Sequence, residues 1–439
     1  MQNMNDKYIS LLRRTEQKNP WCWIPSLYVA KGLPYMVLMM LSLIMFKRLG
    51  MGNAEITFYT SCLLLPWVLK PLWRPAIDLS LTRRTWIILT ELLITLSLCG
   101  VAHFVDSKSW LSGTMFFLFL MAFSAATHDI AIDSFYQLTV EEDERLSFVR
   151  VRRFFYRLAM VLAQGVLVMV AGNLEVITRQ VKNSWAIVIY IVAALLFVLM
   201  LVHLLTLPLP TERRMRGERV TFDKIRRIFR ANVRTFMQKP HARAAIFFLL
   251  TYVAVEGLFA KVSMLFLIDR ASISGLALSL QEFGFVQGTV GVISLVAGGI
   301  VGGNVVRLHG LRRCLYPMAA AFALPKMVFI FLSYALPESL LAVNLCVMVE
   351  QFGYGFGMTA YILFLVQFSQ GRRTAAHYGI GIALMSFTLM LTGMVSGAWV
   401  EAVGYRTFFI ITTVSGILTF VAASWVRGVD EDDEDTPSL

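Results

Sequence analysis

The feature that most constrains this chain is a series of long apolar runs, each able to cross a bilayer as one helix. A hydrocarbon core of roughly 30 Å needs about 20 helical residues. Stretches that meet this fall at residues 22–46, 55–79, 85–105, 110–136, 147–173 and 184–208, and again at 242–268, 275–306, 313–335, 339–368, 374–400 and 405–426. No segment shows the ten-residue alternation of a membrane β-barrel. Of the 439 residues, 57% are hydrophobic and 15% charged, whereas soluble domains carry about 25% charge. Water-facing domains cannot hide this much apolar surface, which excludes a soluble enzyme. The chain reads as an all-α membrane protein of twelve transmembrane helices.

The runs divide six and six around the longest polar stretch. This predicts an N-terminal six-helix bundle in residues 1–209, a basic cytoplasmic linker at 210–240, and a C-terminal six-helix bundle in 241–439. The linker is expected to hold an amphipathic helix built on Phe222, Ile225, Ile228 and Phe229. The acidic tail, residues 430–435, is expected to be solvated and disordered. Two six-span halves joined by such a loop are the layout of the major facilitator fold, with pseudo-two-fold symmetry and a substrate site near the midplane. The pairs Gly284/Gly288, Gly298/Gly302, Gly299/Gly303, Gly353/Gly357 and Gly393/Gly397 have the spacing of close helix crossings.

Forty Lys and Arg against 28 Asp and Glu give a net charge of +12, but their placement argues against nucleic acid. Twenty-seven of the basic residues fall in loops on the side of the termini and linker, and seven in the opposite loops. The positive-inside rule therefore predicts that both termini are cytoplasmic. The first run is too long for a signal-peptide core and is expected to remain as a span. Cys22, Cys62, Cys99, Cys314 and Cys346 show no metal-ligand or disulfide-framework spacing, so no metal is expected.

Charges inside the spans carry the chemistry, because an intramembrane charge is costly unless it is paired or faces a polar cavity. The fourth span holds His128-Asp129-Ile130-Ala131-Ile132-Asp133. Asp129 and Asp133 are i and i+4 and share one helix face, while His128 is offset by about 100°. Two carboxylates on one buried face can hold and release a proton near neutral pH. Arg157 on the fifth span is the natural counter-ion for either, with Gln164 two turns further on. Lys31 lies in the first span and Lys70 in the second, where Pro66, Pro71 and Pro75 interrupt the hydrogen-bond ladder. Asp78 with Arg83 and Arg84 reads as a conformational latch. The second half adds Glu256, Lys261, Gln287, Lys326, Glu350 and Gln351, while Glu282 reads as a solvated residue at the periplasmic mouth. Glu91, His103 and His203 read as locally satisfied packing residues, and His241 and His309 as loop residues. Trp73 and Tyr361 are candidates for stacking on a sugar face.

Several of these segments resemble the AmpG-type muropeptide permeases, a group related to the acetyl-CoA transporters. They are Lys31-Gly32-Leu33-Pro34, Lys70-Pro71-Leu72-Trp73-Arg74-Pro75-Ala76-Ile77-Asp78, His128 through Asp133, and Tyr156-Arg157-Leu158-Ala159-Met160. In the second half, Tyr252 with Glu256, Glu350 through Gly357, and Ala376-His377-Tyr378-Gly379 are also similar. The chain departs from the pattern at His128, where Gln is usual, at Lys31, where a small residue is common, and at Val253 and Glu256, where Lys and Asp are expected. The resemblance implies a proton-driven importer of anhydro-muropeptides in the bacterial inner membrane. It assigns importance to Asp129, Asp133, Lys70, Arg157 and Glu256.

No P-loop, nucleophile elbow or zinc-protease motif occurs, so transport is expected to be secondary and the chain not an enzyme. The expected driving force is the proton gradient, with no cofactor. Proton coupling is placed on Asp129, Asp133, Glu256 and Glu350. Substrate contact is placed on Lys31, Lys70, Trp73, His128, Arg157, Gln164, Lys261, Gln287, Lys326, Gln351 and Tyr361. The expected partners are protons, a small anionic substrate and the lipid bilayer, around a monomeric chain. The alternatives are a carrier of another anion, such as a CoA ester or siderophore, and a non-transporting receptor on the same fold.

Overall fold

Every apolar run becomes helix. A computed structural model describes residues 19–209 and 221–434, leaving out the side chains of 143, 146 and 427–434, and among these residues there is no strand. Ten continuous helical stretches are long and apolar enough to cross a membrane: Pro20–Arg48, Arg83–Phe104, Trp110–Thr139, Ser147–Thr178, Val181–Thr206, Ala242–Ile268, Leu280–His309, Leu311–Ala335, Leu340–Ser369 and Thr374–Val426. Two local features reconcile these with twelve spans. The second span is broken into Asn53–Cys62 and Leu65–Leu79, because Pro66 disfavours helical geometry in the residue before it and supplies no N–H to the ladder. The eleventh and twelfth spans run together through Gly404, whose φ of 75° and ψ of 163° turn the chain sharply between them. A side chain would strain that conformation.

Residues 210–220 of the linker lie outside the described residues. The remainder forms the expected amphipathic helix, Phe222–Met237. Ile225, Ile228 and Phe229 are half-buried, whereas Phe222 is exposed. The helix is anchored at its end: Phe236 is buried and packs edge-on against Phe368 and His377. Arg373 Nη1 donates to Asn232 Oδ1 at 2.6 Å, and Lys239 Nζ donates to the carbonyls of Phe368 and Gln370. The acidic tail differs from expectation. The last helix, Ile417–Glu434, runs through residues 430–434, while Asp435 lies outside the described residues.

By packing, the chain forms two compact units. The first comprises Met1–Tyr35, Arg74–Ala159 and Ala186–Phe222; the second comprises Met36–Trp73, Met160–Trp185 and Asp223–Leu439. The first is centred on Trp23, Leu27, Tyr28, Ile132, Phe135 and Tyr136, with Trp23 and Phe135 edge to face at 5.2 Å. The second is centred on Phe248, Tyr252, Met318, Phe322 and Tyr361.

Close crossings within the second unit explain most of the glycine spacing. A side chain on Gly288 would collide with the backbone of Gly165, and one on Gly298 with the carbonyl of Phe352. Gly353 and Gly357 lie against Ala321 and Met318, and Gly397 lies against Asn53. Gly303 instead faces open space, so its spacing with Gly299 reflects no crossing there. Three π-helical turns, Val37–Leu41, Leu162–Val166 and Gly284–Gly291, lie in this unit. Such turns interrupt the regular ladder and are common where helices do functional work.

Candidate functional site

Within the first unit, the first and fourth spans bring a lysine onto the acidic pair. Lys31 Nζ lies 2.5 Å from Asp133 Oδ1 and 4.0 Å from Asp129 Oδ1. The i,i+4 spacing works as the helix period requires, since both carboxylates point to the same neighbour. Lys31, placed from sequence among the substrate contacts, is thus a counter-ion of the acidic pair. Aromatic groups line the same place. Lys31 Nζ stands 5.7 Å from the Tyr28 ring, and Arg152 lies 4.5 Å from the centre of the Tyr136 ring while donating to the Tyr28 hydroxyl at 3.3 Å.

The latch on Asp78 forms with Arg83, as expected, and with Arg74 in place of Arg84. Asp78 is 3.4 Å from Arg83 and 3.8 Å from Arg74, and it accepts from Ser134 Oγ at 3.3 Å. Arg84 instead donates to the Leu204 carbonyl at 2.7 Å, at the end of the sixth span. His128 is also placed away from the acidic pair. Its 100° offset turns it into the core beside Glu91, at 2% exposure. Glu91 and His203, read as isolated packing residues, meet there with Nδ1 of His203 2.6 Å from Glu91 Oε1. His103 is exposed on the third span.

The second unit holds a further charge cluster. Lys326 Nζ is 2.8 Å from Glu256 Oε2 and donates to the Phe322 carbonyl at 2.8 Å. Pro325 opens a 3₁₀ turn, Leu324–Met327, that aims Lys326 inward, and the Phe322 and Phe259 rings flank its ammonium at 4.5 and 5.2 Å. Glu350 is buried, within electrostatic reach of both Glu256 and Lys326, and accepts from Gln351 Nε2 at 2.8 Å. Two carboxylates therefore share one cation here, as they do at Lys31.

Lys261 is different. Among the described residues, its hydrogen-bond partners are the hydroxyls of Thr60 and Ser61, both at 2.8 Å, and none carries an opposite charge. Gln164 and Gln287 are buried, and Gln164 Nε2 contacts Met36 Sδ at 3.4 Å. Lys70 and Trp73 are half-buried. Tyr361 departs from its predicted role: it is fully buried, donates to the Leu249 carbonyl at 3.0 Å and stacks on Phe248, so its ring faces are used by the core. Glu282 completes a capping box with Ser279 at the start of the eighth span.

Sequence reasoning missed the cluster at the span ends remote from the linker helix. Asp269 is 2% exposed and pairs with Lys47. Asn53 Nδ2 donates to Asp269 Oδ2 at 2.9 Å, its Oδ1 accepts from Lys47 at 2.7 Å, and the Tyr405 hydroxyl also donates to Asp269. Beside it Arg48 Nη2 meets Glu175 Oε2 at 2.5 Å, and Trp185 Nε1 donates to Glu175 at 2.8 Å. These contacts tie the first, second and fifth spans to the seventh and twelfth. Lys47 and Arg48 had counted only as loop charge; a carboxylate ending the seventh span was the available signal.

Twelve spans with charge clusters inside them are the architecture of a membrane transporter. The family model of the Major Facilitator Superfamily matches residues 32–377, and the chain belongs to that superfamily. Among relatives, it is 23% identical over 397 residues to the putative transporter AmpG 4 of Rickettsia conorii, covering 88% of this chain and 91% of that protein. It is 22% identical over 357 residues to the anhydromuropeptide permease of Escherichia coli strain K12, covering 80% and 68%. The fold resembles the nucleoside transporter NupG in its D323A variant, with a TM-score of 0.71, 17% identity and coverage of 93% and 100%. It also resembles a D-xylose-proton symporter, with a TM-score of 0.68, 12% identity and coverage of 92% and 95%.

Proposed function

We propose that this transporter imports an anionic sugar-peptide, an anhydro-muropeptide, together with protons across a bacterial inner membrane, with both termini cytoplasmic. The observation that carries the coupling is the sharing of Lys31 by Asp129 and Asp133. Lys31 links the two carboxylates, so a proton taken up by either one alters the attraction that holds the two spans together at this point. Binding and release of that proton change the net charge at a contact joining two spans, which is what coupling to rocking motions requires. Glu256 and Glu350 around Lys326 supply the equivalent charge arrangement in the second half.

The cargo follows from the relatives' names and from Lys261. A buried ammonium held only by hydroxyls is suited to a carboxylate arriving with the substrate. Lys70 and Arg157 are proposed to assist it as cationic contacts. The chain acts as a monomer and needs no cofactor beyond the proton gradient.

Proteoliposomes with an inward proton gradient should accumulate labelled anhydro-muropeptide, and collapsing the gradient should stop it. Accumulation of a CoA ester or siderophore instead would overturn the cargo and leave the transporter. Orientation is tested by labelling Lys108→Cys, expected from outside intact cells, and Thr221→Cys, expected only after permeabilisation.

A further inference from the structure

The first unit buries a cluster that neither the acidic pair nor the cargo sites use. Glu91 on the third span, His128 on the fourth and His203 on the sixth are 2%, 2% and 0% exposed. Glu91 Oε1 lies 2.6 Å from His203 Nδ1 and 3.8 Å from His128 Nε2. The outer nitrogens decide how many protons the cluster holds. Thr90 Oγ1 gives its only hydrogen to the Trp86 carbonyl at 2.7 Å, with the Ile87 carbonyl at 3.0 Å. At its 3.2 Å contact with His128 Nδ1 it must therefore accept, so Nδ1 bears the hydrogen. Ser26 Oγ lies 3.0 Å from His203 Nε2 and 3.2 Å from the Trp23 carbonyl.

His128 thus has Nδ1 committed as a donor, and the inner nitrogens of both imidazoles face the same carboxylate. The 2.6 Å contact between His203 Nδ1 and Glu91 Oε1 contains one proton, whichever atom holds it. A neutral His128 then turns the Nε2 lone pair toward Glu91, and a proton added at Nε2 converts that repulsion into attraction. The charged groups around His128 are Glu91 and His203 within the cluster, with Lys31 and Asp133 of the neighbouring pair. Asp129 follows His128 on the same helix.

We propose that Glu91, His128 and His203 form a proton-binding site separate from the Asp129–Asp133 pair, which takes up a proton at His128 Nε2 in addition to the one shared by Glu91 and His203. Uptake adds one positive charge to the cluster at a point where the first, third, fourth and sixth spans meet. The first and fourth of these spans also supply Lys31 and the acidic pair, so the two sites act on the same helices.

The test is nitrogen NMR of the full-length protein in nanodiscs, with ¹⁵N-labelled histidine imidazoles and no cargo. The background is His309→Gln, which removes an imidazole outside the cluster whose Nδ1 faces an acceptor, the Val305 carbonyl. One histidine should then be neutral at about pH 8.5 with its hydrogen on Nδ1, and it should gain an Nε2 hydrogen in a single step as the pH falls to about 3. Loss of that signal in His128→Gln assigns it. In Glu91→Gln the step should move to lower pH by more than about one unit, because the attracting carboxylate is gone. A neutral His128 with its hydrogen on Nε2, or nitrogen signals unchanged across the range, would overturn the proposal. If neither variant folds, the His309→Gln spectrum decides: absence of any Nδ1–H tautomer at high pH refutes the site. Because no cargo is present, the result is independent of the muropeptide assignment.

Discussion

Lys31 on the first span is bonded to Asp133 on the fourth at 2.5 Å, with Asp129 one turn away at 4.0 Å. Lys31 thus serves both carboxylates, and the closer one does most to hold it. Asp129, at the longer distance, loses less of its attraction to Lys31 on accepting a proton.

Asp129→Asn is therefore expected to abolish uphill uptake while leaving exchange of cargo across the membrane, because an amide keeps the shape and cannot load a proton. Parallel measurements of gradient-driven uptake and counterflow in proteoliposomes check this. Full accumulation by the variant would remove the carrier role from Asp129.

Lys326→Met should destabilise the protein by about 3–5 kcal/mol, since it leaves Glu256 and Glu350 buried without their cation. Adding Glu256→Gln should recover part of the loss. Thermal unfolding of the single and double variants in detergent gives the coupling energy, and strictly additive losses would contradict the shared-cation geometry.

Asp269 joins Lys47, Asn53 and Tyr405 at the span ends remote from the linker helix. A Lys47→Cys/Asp269→Cys pair, bridged by a bifunctional methanethiosulfonate reagent about as long as the removed side chains, is expected to arrest uptake, with activity returning on reduction. Cross-linking with unchanged uptake would show that these ends need not separate during transport.

Gly288→Ala should strongly reduce both stability and uptake, because the added carbon meets the Gly165 backbone, whereas Gly303→Ala should be neutral. Expression, melting temperature and uptake of the two variants make the comparison. Equal tolerance would mean that the crossing at Gly165 and Gly288 relaxes without cost.

How much of this was legible beforehand differs from residue to residue. The twelve spans, the linker helix and the shared face of Asp129 and Asp133 follow from the sequence by itself. Bilayer thickness sets the length of each apolar run, and the 3.6-residue helical period sets which neighbours face the same way. The partners do not follow. Lys31 bridging the acidic pair, Glu91 meeting His203 across 112 positions, and Asp269 meeting Asn53 across 216 depend on which helix faces lie opposite one another. That choice comes from side-chain packing between helices remote in the chain, such as the approach of Gly165 to Gly288. No local periodicity encodes it. A charge inside a membrane announces from sequence that it needs a partner, and only the tertiary structure decides which one it has.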